Sequence, residues 1–152
     1  MSSLPPITDV LPHRAGMLLV ERVVAWDAQH AVVAATPQAD AWYSEDGAMP
    51  SWIGIELMAQ AIAAHVGLVA RSHGKPPKAG VLLGTRQYRA TQPRFAAGAQ
   101  LIVSARLNYR DDSGLGSYDS TITLGDAEVA RASVSVYEPP DFAAFLEQQL
   151  AP

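Results

Sequence analysis

The stretch from Met49 to His73, MPSWIGIELMAQAIAAHVGLVARSH, constrains this chain more than any other. It reads as one long helix, at about 50–73, that is apolar nearly all the way round, and such a helix is normally buried in a protein or in a bilayer. Between Trp52 and Ala70 its polar side chains are Glu56, Gln60 and His65. At about 100° per residue, Glu56, Gln60, Ala63 and Gly67 fall within ~60° of one another, and His65 points about 180° away from Glu56. One face therefore carries a carboxylate with a carboxamide one turn below it, on an otherwise small and apolar stripe. That pairing is costly to bury unless it has a use.

Plainer roles stay open for these residues. The stretch approaches the roughly 20 residues that span a bilayer, but Glu56 is costly in lipid and the Ala/Gly content weakens insertion, so no membrane association is expected. Glu56 can serve as a first-turn acid against the helix dipole, with Pro50 suited to that turn and Ser51 bonding locally. Gln60 can satisfy a neighbouring backbone group.

At 152 residues the chain is long enough for one domain with a real core, and 1–152 is taken as that domain. There are no cysteines, which excludes disulfides and thiolate sites, and no metal-ligand spacing is visible. The segment MSSLPPITDVLPHRAG lacks the basic and apolar parts of a secretory signal, so the expected location is cytoplasmic. A net charge of −4 argues against nucleic-acid binding. The acids all lie at or before Glu56 or at and after Asp111, while Arg71, Lys75, Lys78, Arg86, Arg89, Arg94, Arg106 and Arg110 fill the interval. Those cations are either scattered solvated faces or a local patch that receives an acidic partner.

In chain order, residues 4–16 are rich in turn formers, with Asp9 a possible cap for a short helix. Met17–Trp26 and His30–Thr36 read as a hairpin around Asp27-Ala28-Gln29, and 37–48 as an irregular connection carrying Trp42 and Tyr43. After the long helix, Gly74 and Pro76-Pro77 break the chain. Strands are expected at 80–91, with an interruption near Gly84, and at 100–109, 118–124 and 129–137, where TITL and ASVSVY alternate as in sheets with one wet face. Asp141 caps a short C-terminal helix at about 141–150. A sheet needs its apolar face covered, and the long helix covers it. The small residues Ala59, Ala63, Gly67 and Ala70 are expected to let the sheet come close. The class is α+β, an antiparallel sheet wrapped around one long central helix, which is the layout of a hot-dog fold.

Two segments resemble a family. LPHRAGMLLVERV at 11–23 is similar to the LPHRxPxLLVDRV opening of hot-dog 3-hydroxyacyl-[acyl-carrier-protein] dehydratases, and MPSWIGIELMAQ at 49–60 resembles their MPGxLxxEAMAQ helix start. With Pro-Ser-Trp-Ile-Gly-Ile-Glu in place of the usual Pro-Gly form, and LLGTRQY downstream, the chain looks closer still to the dehydratase-like proteins of aryl-polyene pigment clusters. The resemblance implies a homodimer or higher homo-oligomer with active sites at the subunit interface. It also implies loss of water from a 3-hydroxyacyl thioester delivered on the phosphopantetheine of acyl carrier protein, with no further cofactor. The family's helix carboxylate maps onto Glu56 and its helix glutamine onto Gln60. Its HFPG histidine has no counterpart, because no histidine lies between His30 and His65.

Moving a proton from the carbon next to a thioester, and protonating the departing hydroxyl, calls for a base and an acid. Glu56 could do both in turn. His13, on the LPHR segment, is the candidate second group, either acting or orienting. Backbone N–H groups before the helix are candidates for polarising the thioester carbonyl. Gln60, Trp42, Tyr43 and Trp52 are expected around the acyl chain, and Arg71, Lys75, Lys78 and Arg86 around the carrier protein. Two other functions fit the same fold: an acyl thioesterase in which Glu56 activates water, and a non-catalytic acyl-binding partner of an active dehydratase.

Overall fold

The computed structural model describes residues 3–76, 80–139, 144 and 147–149. Its frame is one six-stranded antiparallel sheet in the order β1-β2-β6-β7-β8-β4. The strands are β1 (Arg22–Asp27), β2 (His30–Ala35), β4 (Val81–Ala90), β6 (Leu101–Arg110), β7 (Leu115–Leu124) and β8 (Ala127–Tyr137). The central helix α1 (Gly54–Ser72) lies across one face of this sheet and packs mainly on β2 and β6. β3 (Ala48–Pro50) and β5 (Arg94–Ala96) form a separate two-stranded ribbon. This is the hot-dog arrangement expected from the sequence.

Alternation explains the sheet. Along β7 the even positions Gly116, Tyr118, Ser120 and Ile122 are buried, and Val103 and Ala105 of β6 are wholly enclosed beneath the same helix. A period of two places each set on the covered face. α1 is long and apolar enough, by composition, to cross a membrane, yet ten of its residues are buried inside the protein, which marks it as a core helix.

Several details differ from expectation. β1 begins at Arg22 rather than Met17, because the backbone N–H groups of Leu19 and Val20 go to the Gln60 side chain instead of a ladder partner. β4 is not interrupted near Gly84 but bulged there and again between Arg86 and Arg89, where Gln87 has φ 55°. The β3–β5 ribbon, which pairs the buried Met49 with Phe95, had no clear signal in a three-residue stretch. The small-residue stripe does not bring the sheet close: Gly67 admits the Val10 carbonyl of the N-terminal segment, and Ala59 and Ala63 border a cleft that parts α1 from β4 and the end of β8. Asp9 caps no helix and instead sits 3.9 Å from Arg71. The expected helix at 141–150 lies largely outside the described residues.

Candidate active site

The start of α1 is fixed before the helix begins. Pro50 leaves the β3–β5 ribbon in an extended conformation, Ser51–Ile53 make a tight turn, and Ser51 N–H donates to Pro93 O at 2.9 Å. The Tyr88 hydroxyl donates to Ser51 O, and burial pushes its pKa up to about 12, so it stays a donor. Tyr88 stands so close to Gly54 that no Cβ fits there. Glu56 is thereby held in the first turn, where the helix dipole favours a negative charge.

Glu56 borders a cleft of about 220 Å³ between α1, the N-terminal segment, β4 and the end of β8. Its side chain is 37% exposed, so the carboxylate is reachable without lying in open solvent. One turn on, Gln60 is fully buried and every polar atom of its amide is engaged. Its Nε2 donates to Glu56 Oε1 at 3.0 Å and to Met17 O at 2.7 Å, and its Oε1 accepts from Leu19 N–H at 2.9 Å and Val20 N–H at 3.3 Å. Gln60 was a candidate for contact with substrate; the structure gives it a different place, aiming the carboxylate and tying residues 17–20 to the helix.

His13 enters from the other wall. Its Nε2 lies 3.9 Å from Glu56 Oε1, and its buried Nδ1 has no hydrogen-bond partner among the described residues. Arg14 holds the turn that presents it, donating to the carbonyls of Leu11 at 2.6 Å, His13 at 2.7 Å and Thr8 at 2.9 Å. The LPHR motif is thus a histidine on a turn pinned by the following arginine.

A second polar group reaches the cleft through Arg110 and is anchored on α1 at His65. His65 Nε2 is 2.9 Å from Ala28 O, and a carbonyl only accepts, so this nitrogen carries the proton. Nδ1 therefore accepts from the Tyr118 hydroxyl at 2.8 Å, and Tyr118 in turn accepts from Arg110 Nη2 at 3.1 Å. Burial, partly offset by the bond to Ala28 and reinforced by the Arg110 charge, holds the His65 pKa below its usual 6.5 and keeps the ring neutral. Burial raises the Tyr118 pKa, opposed by Arg110. Arg110 Nη1 is 3.9 Å from Glu138 Oε2, and both residues line the cleft.

The other expected site residues lie elsewhere. Trp42 and Tyr43 line a separate surface groove with Gly16 and Leu18; Trp42 is 60% exposed and donates to Gly16 O, while Tyr43 is buried with its hydroxyl accepting from Gln38 N–H. Trp52 is 59% exposed and does not border the Glu56 cleft. Arg71 and Lys75 are exposed at the C-terminal end of α1, Arg86 is exposed on β4, and Lys78 lies outside the described residues. The acid-free middle of the sequence does not stay acid-free in space, because Asp9, Asp46 and Glu138 come to Arg71, Arg94 and Arg110. Arg110 and Glu138 carried no local motif, and only their separate strands bring them to one cleft. Among the described residues no cluster of three or more His, Asp or Glu is placed to hold a metal.

Comparison with known proteins agrees with this fold. A chain of the dehydratase heterocomplex ApeI:P from Xenorhabdus doucetiae superposes with a TM-score of 0.89 at 27% identity, covering 97% of this chain and 99% of that one. Cj0977, a sigma28-regulated virulence protein from Campylobacter jejuni, follows with a TM-score of 0.68 at 11% identity over 89% of each chain. A hypothetical thioesterase with coenzyme A from Streptococcus pneumoniae has a TM-score of 0.60 at 14% identity, covering 77% of this chain and 84% of that one. At such identities the last two show the fold alone. No curated protein matches the sequence. The ApeP-like family, that of the ApeP dehydratase, matches residues 5–147, and the chain belongs to it.

Proposed function

We propose that this dehydratase removes water from a 3-hydroxyacyl thioester carried on the phosphopantetheine of an acyl carrier protein, giving the 2-enoyl thioester. The observation that carries the reading is the Gln60-aimed Glu56 carboxylate facing a cleft shared with His13. Glu56 takes the proton from the carbon next to the thioester carbonyl, and the electron pair left behind forms the new double bond as the hydroxyl departs. Protonated His13, on the opposite wall, gives that hydroxyl the proton it needs to leave as water. Each residue acts once, and the reverse proton movement through solvent resets the pair. His13 is one residue supplying what the missing loop histidine supplies elsewhere in the resemblance described above.

The site also suits completion by a second subunit. β4 is an edge strand with Leu82 41% and Leu83 53% exposed, and Leu82 lines the cleft. A partner strand along β4 satisfies the open edge and roofs the cleft together. The proposed partner is a related dehydratase subunit, as in the ApeI:P heterocomplex, or the second identical copy expected from sequence; Arg71, Lys75 and Arg86 remain the proposed carrier-protein contacts.

The experiment is incubation of the full chain, alone and with its partner subunit, with 3-hydroxyacyl carrier protein, followed by mass spectrometry. Loss of one water is expected. Release of the free acid would identify a thioesterase instead, and an unchanged carrier under both conditions would leave a non-catalytic acyl binder.

A further inference from the structure

The face of the sheet opposite α1 takes no part in the cleft. Across it runs one row of directly paired residues that spans all six strands: Asp27, His30, Arg106, Asp119, Ser133 and Arg86, in the order β1-β2-β6-β7-β8-β4. Residues paired across antiparallel strands share a face. Asp119 is exposed between Tyr118 and Ser120, both buried on the helix side, so the row lies on the outer surface. Among the described residues Arg86 and Arg106 have no ion-pair partner, and the one hydrogen bond that Asp119 accepts comes from Ser133 Oγ at 3.1 Å.

The row is its own complement. Its midline falls between β6 and β7, and counting outward from that line sets Arg106 against Asp119, His30 against Ser133, and Asp27 against Arg86. We propose that this outer face seats a second copy of the chain, sheet on sheet, about a two-fold axis that runs along the midline parallel to the strands. Such an axis keeps every residue at its own height along the strands, so each of the three pairs meets twice across the contact and no like charges oppose within the row. The neighbouring midline pair, Ser104 and Thr121, is half-buried and small, which allows close approach. Tyr109 and Leu115, on the same face and beside the same line, are 55% and 37% exposed, and the second copy covers them.

The dimensions agree. Stacked sheets lie about 10 Å apart, the span of an arginine meeting an aspartate. They cross at about 30°, which moves the central strands by only ~1 Å and the margins by ~6 Å, so Arg106 and Asp119 form the tight pair. The face is about 24 Å wide and ~20–34 Å long, roughly 500–800 Å² per copy, which approaches what a specific contact buries. The cleft lies on the other side of the sheet, and the open edge of β4 stays free to pair with its own partner.

The test is mass against concentration by analytical ultracentrifugation, for the full chain alone and with its partner subunit. Pairing along β4 gives one unit, and stacking is expected as a further association step that at least doubles its mass by about 100 μM. R106D leaves only anions at the centre of the row and D119R only cations, so each variant alone is expected to weaken that step at least tenfold while keeping the unit mass and the circular dichroism. Arg86 is left unaltered because it is also a proposed carrier-protein contact. Mixed one to one, the two variants regain the step, since each supplies the charge the other lacks, and R106D/D119R in a single chain regains it as well. Recovery on mixing cannot arise from a change within one chain. No further step in the unaltered protein, a step that survives both single variants, or variants that stay apart when mixed would each overturn the proposal. A step seen only with the partner subunit, and not regained by mixing, would give the face to that subunit and overturn it equally.

Discussion

Gln60 Nε2 donates to Glu56 Oε1 at 3.0 Å while the same amide group donates to Met17 O, so the carboxylate is aimed from the N-terminal segment as much as from its own helix. One buried side chain thus joins the proposed chemistry to the packing of residues 17–20.

Replacing Glu56 with Gln keeps the volume and a hydrogen-bonding group while removing the basic oxygen. Turnover of 3-hydroxyacyl carrier protein is expected to fall by about 100- to 10,000-fold, the range of a lost general base, with circular dichroism and oligomeric mass unchanged. Retention of most activity would dismiss Glu56 from the reaction.

Gln60→Leu is a different kind of loss. It leaves the N–H groups of Leu19 and Val20 and the carbonyl of Met17 without their partner, at about 1–3 kcal/mol for a buried unsatisfied group. Both the unfolding midpoint and kcat should drop, whereas Glu56→Gln lowers kcat alone. A Gln60→Leu protein with an unaltered midpoint would show that the segment is held by something else.

His13→Gln should reduce kcat by about 100-fold or more if His13 supplies the leaving-group proton. Arg14→Ala, which frees the turn beneath it, should reproduce part of that loss through the three carbonyls it releases. Normal rates in both variants would leave Glu56 to carry out the two proton transfers by itself.

The stability of the fold should depend on pH through His65. Its pKa is lower in the folded protein than its usual 6.5, so the unfolded chain binds the proton first as the medium is acidified. The stabilising contribution is complete above about pH 6.5 and is lost as pH falls through the lower folded value. Chemical denaturation across this window should show the decline, and His65→Gln should flatten it. A slope unaltered by that replacement would place the titrating group elsewhere.

Charge reversal at Arg71 or Lys75 should weaken carrier-protein binding more at low salt than at high salt, because both side chains are exposed and their fields are screened. An affinity that does not respond to either change would remove this end of α1 from the docking surface.

The frame of the fold was legible because it follows from period and length: an apolar run of helical length, then alternating strands punctuated by Gly and Pro. Glu56 stood out for the same reason, as one acid in a greasy helix. His13 was reachable only through the LPHR segment, and the turn that presents it is held by Arg14, whose three carbonyl partners no spacing rule announces. Leu19 and Val20 look like strand residues, and a long-range bond to Gln60 overrides that pattern. Trp42 and Trp52 show the limit of composition, since an aromatic ahead of a helix suggests burial and both of these side chains are largely exposed. Arg110 and Glu138 meet only after β6 and β8 have taken their places in the sheet, and pairing of that range leaves no local trace.

The close approach of Val10 to Gly67 carries a practical consequence. There is no room for even one methyl group between the two backbones, so the segment bearing His13 is seated directly on the helix bearing Glu56. Trimming the first twenty residues for expression or crystallisation would therefore strip away a wall of the proposed reaction chamber, and a shortened protein that still folds should be catalytically silent.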